Sequence, residues 1–153
     1  MKIDNAVEPV VREAFASSVA AEPDRLNNAL EDIGTRGDQF AQDALRLALS
    51  IDAAALYIVH DGQRPSSEQL RSLVQDFVKT ETWADIASGI PIKFLTALAE
   101  GTSVFEVLPP EDVSDVTFVV GGWLLAAFLP EGKDWTDFLD EILDGLEATP
   151  PQP

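Results

Sequence analysis

The hydrophobic positions of the chain recur at helical spacing, and they are densest between residues 38 and 61. In this stretch the polar residues project, at about 100° per residue, onto one narrow stripe, and apolar residues occupy the rest of the circumference. A helix that is apolar over most of its girth is normally surrounded by other helices. The pattern therefore predicts a long central core helix over Asp38–Asp61, with Asp38 as its N-terminal cap.

Amphipathic helices are predicted on both sides of the central helix. Apolar residues at i, i+3, i+4 and i+7 indicate one helix over Val7–Ala20, and a shorter one follows Glu22. Beyond the central helix, Ser66 and Gln69 have the spacing of a capping box. The helix that they open is predicted to bury five apolar side chains, those of Leu70, Leu73, Val74, Phe77 and Val78.

The segment between residues 82 and 108 gives weaker signals. Thr82–Asp85 resembles a helix start, and Gly89 would end that short helix before Pro91 opens another one. Thr102–Leu108 has some strand character but no obvious partner strand, so the choice between strand and helix stays open here.

A long apolar run follows the helix-start signal Pro109-Pro110-Glu111-Asp112. Val116–Leu129 contains one polar residue, Thr117, and is interrupted by the pair Gly121-Gly122. Residues 116–120 alone could form a strand, but the run as a whole favours one buried helix over Asp112–Leu129. In such a helix the glycine pair lets another helix approach closely, or else it marks a break.

The last predicted helix begins at a cap, Asp134, and carries an unbroken apolar stripe. Together with the short connections, these elements predict an all-α fold, a single domain over residues 1–148 built as a bundle of six to eight helices. The proline-rich tail, residues 149–153, is predicted to be disordered. The stripe of the last helix consists of Trp135, Phe138, Leu139, Ile142, Leu143 and Leu146.

Charge narrows the classes of function. The chain has 10 Lys and Arg against 27 Asp and Glu, a net charge of −17, and residues 100–153 contain a single base, Lys133. Such a field repels nucleic acid and anionic membranes and attracts basic partners and cations, although solubility or a salty environment would also explain it. Thr82–Gly101 has the spacing of a helix-turn-helix, but this charge argues against DNA binding.

Residue types that are missing or rare exclude further chemistry. The chain has no cysteine, so it lacks disulfides, thiolate nucleophiles and cysteine-based metal sites. The N-terminal residues show no apolar signal-peptide stretch, and no run reaches the roughly 18 apolar residues of a membrane span. We expect a cytoplasmic protein without a metal ion or cofactor.

Asp52 is the most anomalous residue, because its projected angle lies within the apolar arc of the central helix. A buried carboxylate needs a partner or a proton. Asp52 is either a structural acid, held by an arginine, a tryptophan indole or a helix N-terminus, or a functional group. In the functional case it is a general base with a raised pKa or a ligand for a cationic group. The structural interpretation is the commoner one.

His60, the only histidine, lies at the C-terminal end of the same helix, adjacent to Asp61. Neighbouring helical residues point about 100° apart, so they do not form an acid–base pair. A cation near a helix C-terminus is already explained by the helix dipole. No catalytic residue is predicted.

The last helix carries an acidic outer face, with carboxylates at i+3 and i+4 spacing. Most such faces are solvated surface, and this one lacks the glycine turn of a calcium-binding loop. A second role is docking of a basic protein. The residues of this acidic face are Asp137, Asp140, Glu141, Asp144 and Glu147.

These observations favour a non-enzymatic interaction module, an adaptor, inhibitor or immunity-like protein that engages a basic partner through its acidic C-terminal third. The alternative is a small-molecule-binding or catalytic bundle with Asp52 in an internal cavity. Homo-oligomerisation is compatible with both, because long apolar helices can leave exposed stripes.

Overall fold

The computed structural model describes residues 1–148 as seven α-helices and one short 3₁₀ helix, without a strand in that range. The predicted all-α bundle is confirmed. The tail predicted to be disordered, residues 149–153, lies outside the described residues. The helices are α1 (Val7–Val19), α2 (Pro23–Thr35), α3 (Asp38–Val59), α4 (Ser67–Thr80), α5 (Ile90–Glu100), the 3₁₀ helix (Val104–Glu106), α6 (Pro110–Ala127) and α7 (Trp135–Ala148).

The central element is α3, as predicted, and it packs against α1, α2, α5, α6 and α7. Its start differs from the prediction. The N-cap is Gly37, with φ of 106°, and Asp38 is the first helical residue rather than a side-chain cap. A carboxylate there still favours the positive end of the helix dipole. The face that α3 buries consists of Ala44, Leu47, Ala48, Ile51, Asp52, Ala55 and Leu56.

The other apolar residues of α3 are less covered than a helix surrounded on all sides would require. Leu45, Leu49 and Ala53 are only half-buried, and the side chain of Ile58 is 52% exposed. The segment that lies beside Leu45, Leu49 and Ala53 is the short 3₁₀ helix, which is too small to cover them. The apolar coat of α3 is therefore partly open to solvent.

The glycine pair of α6 allows close packing, and α6 continues through it without a break. A Cβ atom placed on Gly121 would lie 2.0 Å from Asp52 Oδ1 and 2.7 Å from Phe15 Cε1. A Cβ atom on Gly122 would lie 2.7 Å from Ser18 Oγ. Helices α1, α3 and α6 thus meet where α6 has no side chains, and residues 116–120 are helix rather than strand.

The capping box that opens α4 is confirmed. Gln69 N–H donates to Ser66 Oγ at 3.2 Å, and Ser66 N–H donates to Gln69 Oε1 at 2.7 Å. Of the five side chains predicted to be buried in α4, Val74 is only half-buried, and the prediction is wrong for Val78, which is 57% exposed. It follows the buried Phe77 by one residue and so lies about 100° around the helix from the core.

The short helix predicted from Thr82 to Gly89 does not form. Residues 81–89 are turns and irregular chain, and Gly89 is the left-handed N-cap of α5. The local signals resembled a helix start, but about eight residues cannot form a stable helix without strong packing. The helix-turn-helix spacing of Thr82–Gly101 therefore contains a single helix, and the strand-like segment after it contains the 3₁₀ helix.

Candidate functional site

The acidic face of α7 lies at the surface, because the opposite, apolar face of this helix packs against the core. Phe138, Leu139, Ile142 and Leu143 are buried, and all five predicted carboxylates are exposed. Asp134 begins the helix, since its side chain accepts from Trp135 N–H at 2.9 Å and its own N–H donates to Asp137 Oδ2 at 3.2 Å. The structure therefore brings the five acids together on one helix face.

Two of the five carboxylates already have a basic partner. Asp140 accepts from the Arg12 guanidinium, which joins α7 to α1, and Glu141 accepts from the Lys133 ammonium group. Within residues 1–148, neither Asp144 nor Glu147 forms an ion pair. The C-terminal half of the face thus has the less compensated charge.

Asp52 is fully buried, as predicted from its position in the apolar arc. No group among residues 1–148 donates a hydrogen bond to either of its carboxyl oxygens, so the expected arginine, indole or helix N-terminus is not found there. Burial raises the pKa of Asp52 well above its usual value, because the charged form loses its hydration. The protonated carboxylic acid is the form that this environment favours.

Two other buried polar residues near this helix junction, Ser17 and Thr117, form hydrogen bonds within their own helices. Ser17 Oγ donates to Glu13 O at 2.8 Å, and Thr117 Oγ1 donates to Val113 O at 2.6 Å. Each of these two hydroxyl groups donates its hydrogen atom to a carbonyl oxygen of its own helix and not to Asp52. The junction is a closely packed core in which one carboxyl group is unmatched.

His60 is not paired with Asp61. Its Nδ1 lies 2.8 Å from Leu56 O, the carbonyl four residues earlier in the chain. Asp61 adopts a left-handed conformation, with φ of 57°, that ends the helical path. His60 and Asp61 therefore lie at the C-terminal end of α3, where His60 is the C-cap.

A groove that the sequence did not indicate runs along the open side of α3. Its volume is about 460 Å³, and Leu45, Leu49, Ala53 and Phe105 form its apolar walls, with Arg46 beside them. The side chain of Phe105 is 50% exposed. The sequence contained one signal for this groove, the i, i+4, i+8 spacing of Leu45, Leu49 and Ala53 beside a polar stripe. That spacing does not reveal whether another helix covers these three side chains.

A smaller groove of about 260 Å³ adjoins the first, since Gln42, Leu45 and Phe105 line both. It is bounded on its far side by Ile33 of α2 and Phe118 of α6. The ring of Phe105 therefore stands between two apolar depressions on one face of the bundle. Asp52 lines neither of them.

Residues 1–148 contain no cluster of three or more His, Cys, Asp or Glu side chains arranged to hold a metal ion. None of the helices described there has the length and apolarity needed to cross a membrane. Comparison with protein-family models, curated proteins and solved structures yields no match to this chain.

Proposed function

We propose that this chain is a non-enzymatic interaction module of the cytoplasm that binds a basic protein through its acidic C-terminal third. The observation that carries the proposal is the exposed acidic face of α7, whose far side is anchored in the core. A rigid helix holds its carboxylates at fixed spacing, so the face can match basic side chains at complementary spacing.

The distribution of charge supports this assignment. Residues 100–153 contain 12 acids and a single base, and that base is already paired with Glu141. At the start of α6, burial and the neighbouring Asp112 raise the pKa of Asp115 above its usual value. Negative charge in this third of the chain is thus in excess, and a cationic partner would relieve the repulsion.

The test is a variant in which four acids of the face become neutral: Asp137→Asn, Asp140→Asn, Glu141→Gln and Asp144→Asn. We expect its association with a fluorescent, lysine-rich amphipathic peptide to be about tenfold slower at low salt and less dependent on ionic strength than that of the wild-type chain. Stopped-flow fluorescence at several salt concentrations measures both effects. Folding should be retained, because exposed ion pairs such as Arg12–Asp140 contribute at most about 1 kcal/mol.

A matched control removes the same number of charges elsewhere. Glu31→Gln, Asp61→Asn, Asp76→Asn and Asp85→Asn all change exposed acids outside α7. The proposal requires that this control variant keeps most of the wild-type association rate. An equal loss in both variants would mean that the peptide senses only net charge, and the acidic face would have no particular role.

A further inference from the structure

The groove between α3 and Phe105 has the size of a ligand site. Ligand pockets for small molecules usually enclose about 300–1,000 Å³. The groove, at about 460 Å³, lies within that range, whereas three other depressions among residues 1–148, of about 170, 230 and 260 Å³, fall below it. Size therefore separates this groove from the ordinary roughness of the surface.

The walls of the groove specify an apolar body for the ligand. Leu45, Leu49 and Ala53 present one ridge of α3 at i, i+4, i+8 spacing, and the ring of Phe105 forms the facing wall. Phe105 is held there by the short 3₁₀ helix, where its N–H donates to Ser103 Oγ at 3.3 Å. Covering these side chains would remove apolar surface from water, which is the main source of affinity at such a site.

The polar edge of the groove specifies the charge at one end of the ligand. Among residues 1–148, Arg46 is the only base in the lining, and its side chain is 67% exposed. Its nearest acid, Asp43, is 3.6 Å away and also accepts from Gln39 Nε2 at 3.0 Å, so the guanidinium is only loosely compensated. Arginine presents a planar fork of N–H donors that matches a carboxylate.

We propose that this groove binds an amphiphile with an apolar body and a single carboxylate, the body lying between α3 and Phe105 and the carboxylate pairing with Arg46. The site is independent of the acidic face of α7. The alternative interpretation of the sequence also required a small-molecule site, but in an internal cavity with Asp52, whereas this groove lies beside α3 and Asp52 does not line it.

The experiment uses dodecanoate, below its micelle concentration, with the full chain. Methyl resonances of Leu45, Leu49 and Ala53 are followed by NMR, with those of the exposed Ile58 and Val78 as internal references. Dodecanol and dodecylammonium, which have the same tail, are titrated in parallel. We expect shifts confined to the groove methyls and an affinity order of carboxylate, then alcohol, then ammonium.

The net charge of −17 makes this order informative. Attraction by the overall field would place the ammonium compound first, so a carboxylate preference must come from a local cation. Tighter binding of dodecylammonium at the same methyls would overturn the proposal. So would groove shifts that change on dilution without ligand, since these would show that a second copy of the chain occupies the groove.

Variants separate the two halves of the site. Arg46→Gln should weaken dodecanoate binding about fivefold and leave dodecanol unchanged, and Arg46→Lys should restore part of the loss. Arg71→Gln, which removes the same charge from an exposed position on α4, should have no effect. Phe105→Ala should weaken both ligands about tenfold.

The last variant, Ala53→Phe, fills the groove with a bulky side chain and should abolish binding of both ligands. Because Ala53 and Phe105 are not fully buried, these two variants test the groove without removing core packing. Equal losses for Arg71→Gln and Arg46→Gln, or full binding by Ala53→Phe, would remove the groove from consideration as the site.

Discussion

At the scale of single residues, Asp52 is the position where folding and chemistry conflict. Its carboxyl group lies against Gly121 and Phe15 in a junction of three helices, with no hydrogen-bond donor among residues 1–148. A polar group buried without a partner costs roughly 1–3 kcal/mol, and a buried charge costs more. The folded state therefore favours the protonated acid, and this has a consequence for the pH dependence of stability.

The folded-state pKa of Asp52 is raised above its unfolded value of about 4. Above that pH the unfolded chain loses the proton while the folded chain keeps it, so the free energy of unfolding decreases as pH rises towards the folded pKa. Asp52→Asn removes this dependence. We expect the stability of the variant relative to wild type to increase with pH by about 1.4 kcal/mol per unit in that window.

Urea unfolding at a series of pH values from about 4 to 8 measures this difference. Using the change with pH, rather than the value at one pH, cancels any constant effect of the new amide on packing. Asp76→Asn, at an exposed position on α4, serves as the control and should follow the wild-type curve. A flat difference for Asp52→Asn, or one that falls as pH rises, would show that the ionised carboxylate has a donor after all.

At the scale of the elements, the packing of α6 depends on the absence of a side chain. Gly121 and Gly122 provide the surface on which Asp52, Phe15 and Ser18 lie. The sequence indicated such a close approach, because glycines inside a continuous apolar helix usually have a packing role. It did not indicate which residues of which helices would fill the space.

Gly121→Ala tests this packing. The added methyl group would overlap the Asp52 carboxyl group and the Phe15 ring, and overpacking of a core typically costs about 1–3 kcal/mol. Gly34→Ala is the matched control, since Gly34 lies within α2 and an added Cβ atom meets nothing within 4 Å. That control should stabilise the fold by about 0.5–1 kcal/mol, through helix propensity alone. Thermal or urea unfolding of both variants measures the contrast, and a Gly121→Ala protein as stable as wild type would mean that the helices are further apart.

The elements that the sequence predicted well are those with strong local signals. The capping box of Ser66 and Gln69 and the stripe of α7 are each determined by residues within four positions of one another. Two of the predictions that failed, the helix after Thr82 and the burial of Val78, lie where local signals are short or marginal. In those places packing against distant residues decides the conformation.

At the scale of the whole molecule, negative charge is the dominant property. A net charge of −17 on a compact chain produces self-repulsion, which opposes folding. Surface ion pairs, such as those of Arg25 with Glu13 and Glu22, act in the opposite direction but are exposed and individually weak. Salt screens both the self-repulsion and the ion pairs, so the dependence of stability on salt concentration shows which of the two effects is larger.

We expect sodium chloride to stabilise the fold, because screening removes more repulsion than attraction. Between about 0.01 M and about 0.5 M salt, the melting temperature should rise by about 2–4 °C for each kcal/mol of repulsion removed. Differential scanning calorimetry provides the measurement. The variant with four neutralised acids on α7 should show a smaller rise, and a melting temperature that falls with salt would mean that the ion pairs outweigh the repulsion.

The sequence by itself determined the helical class, the approximate position of most helices, the acidic face of α7 and the burial of Asp52. Each of these follows from periodicity, capping or composition, which depend on residues close together in the chain. The tertiary structure alone decided that the pairing of Asp140 with Arg12, 128 residues away, reduces the free charge of the acidic face. It also decided that, within residues 1–148, Asp52 meets Gly121 without a donor and that Phe105 is the one side chain standing opposite the open side of α3. These features arise from contacts between distant segments, and no local pattern specifies which segments meet.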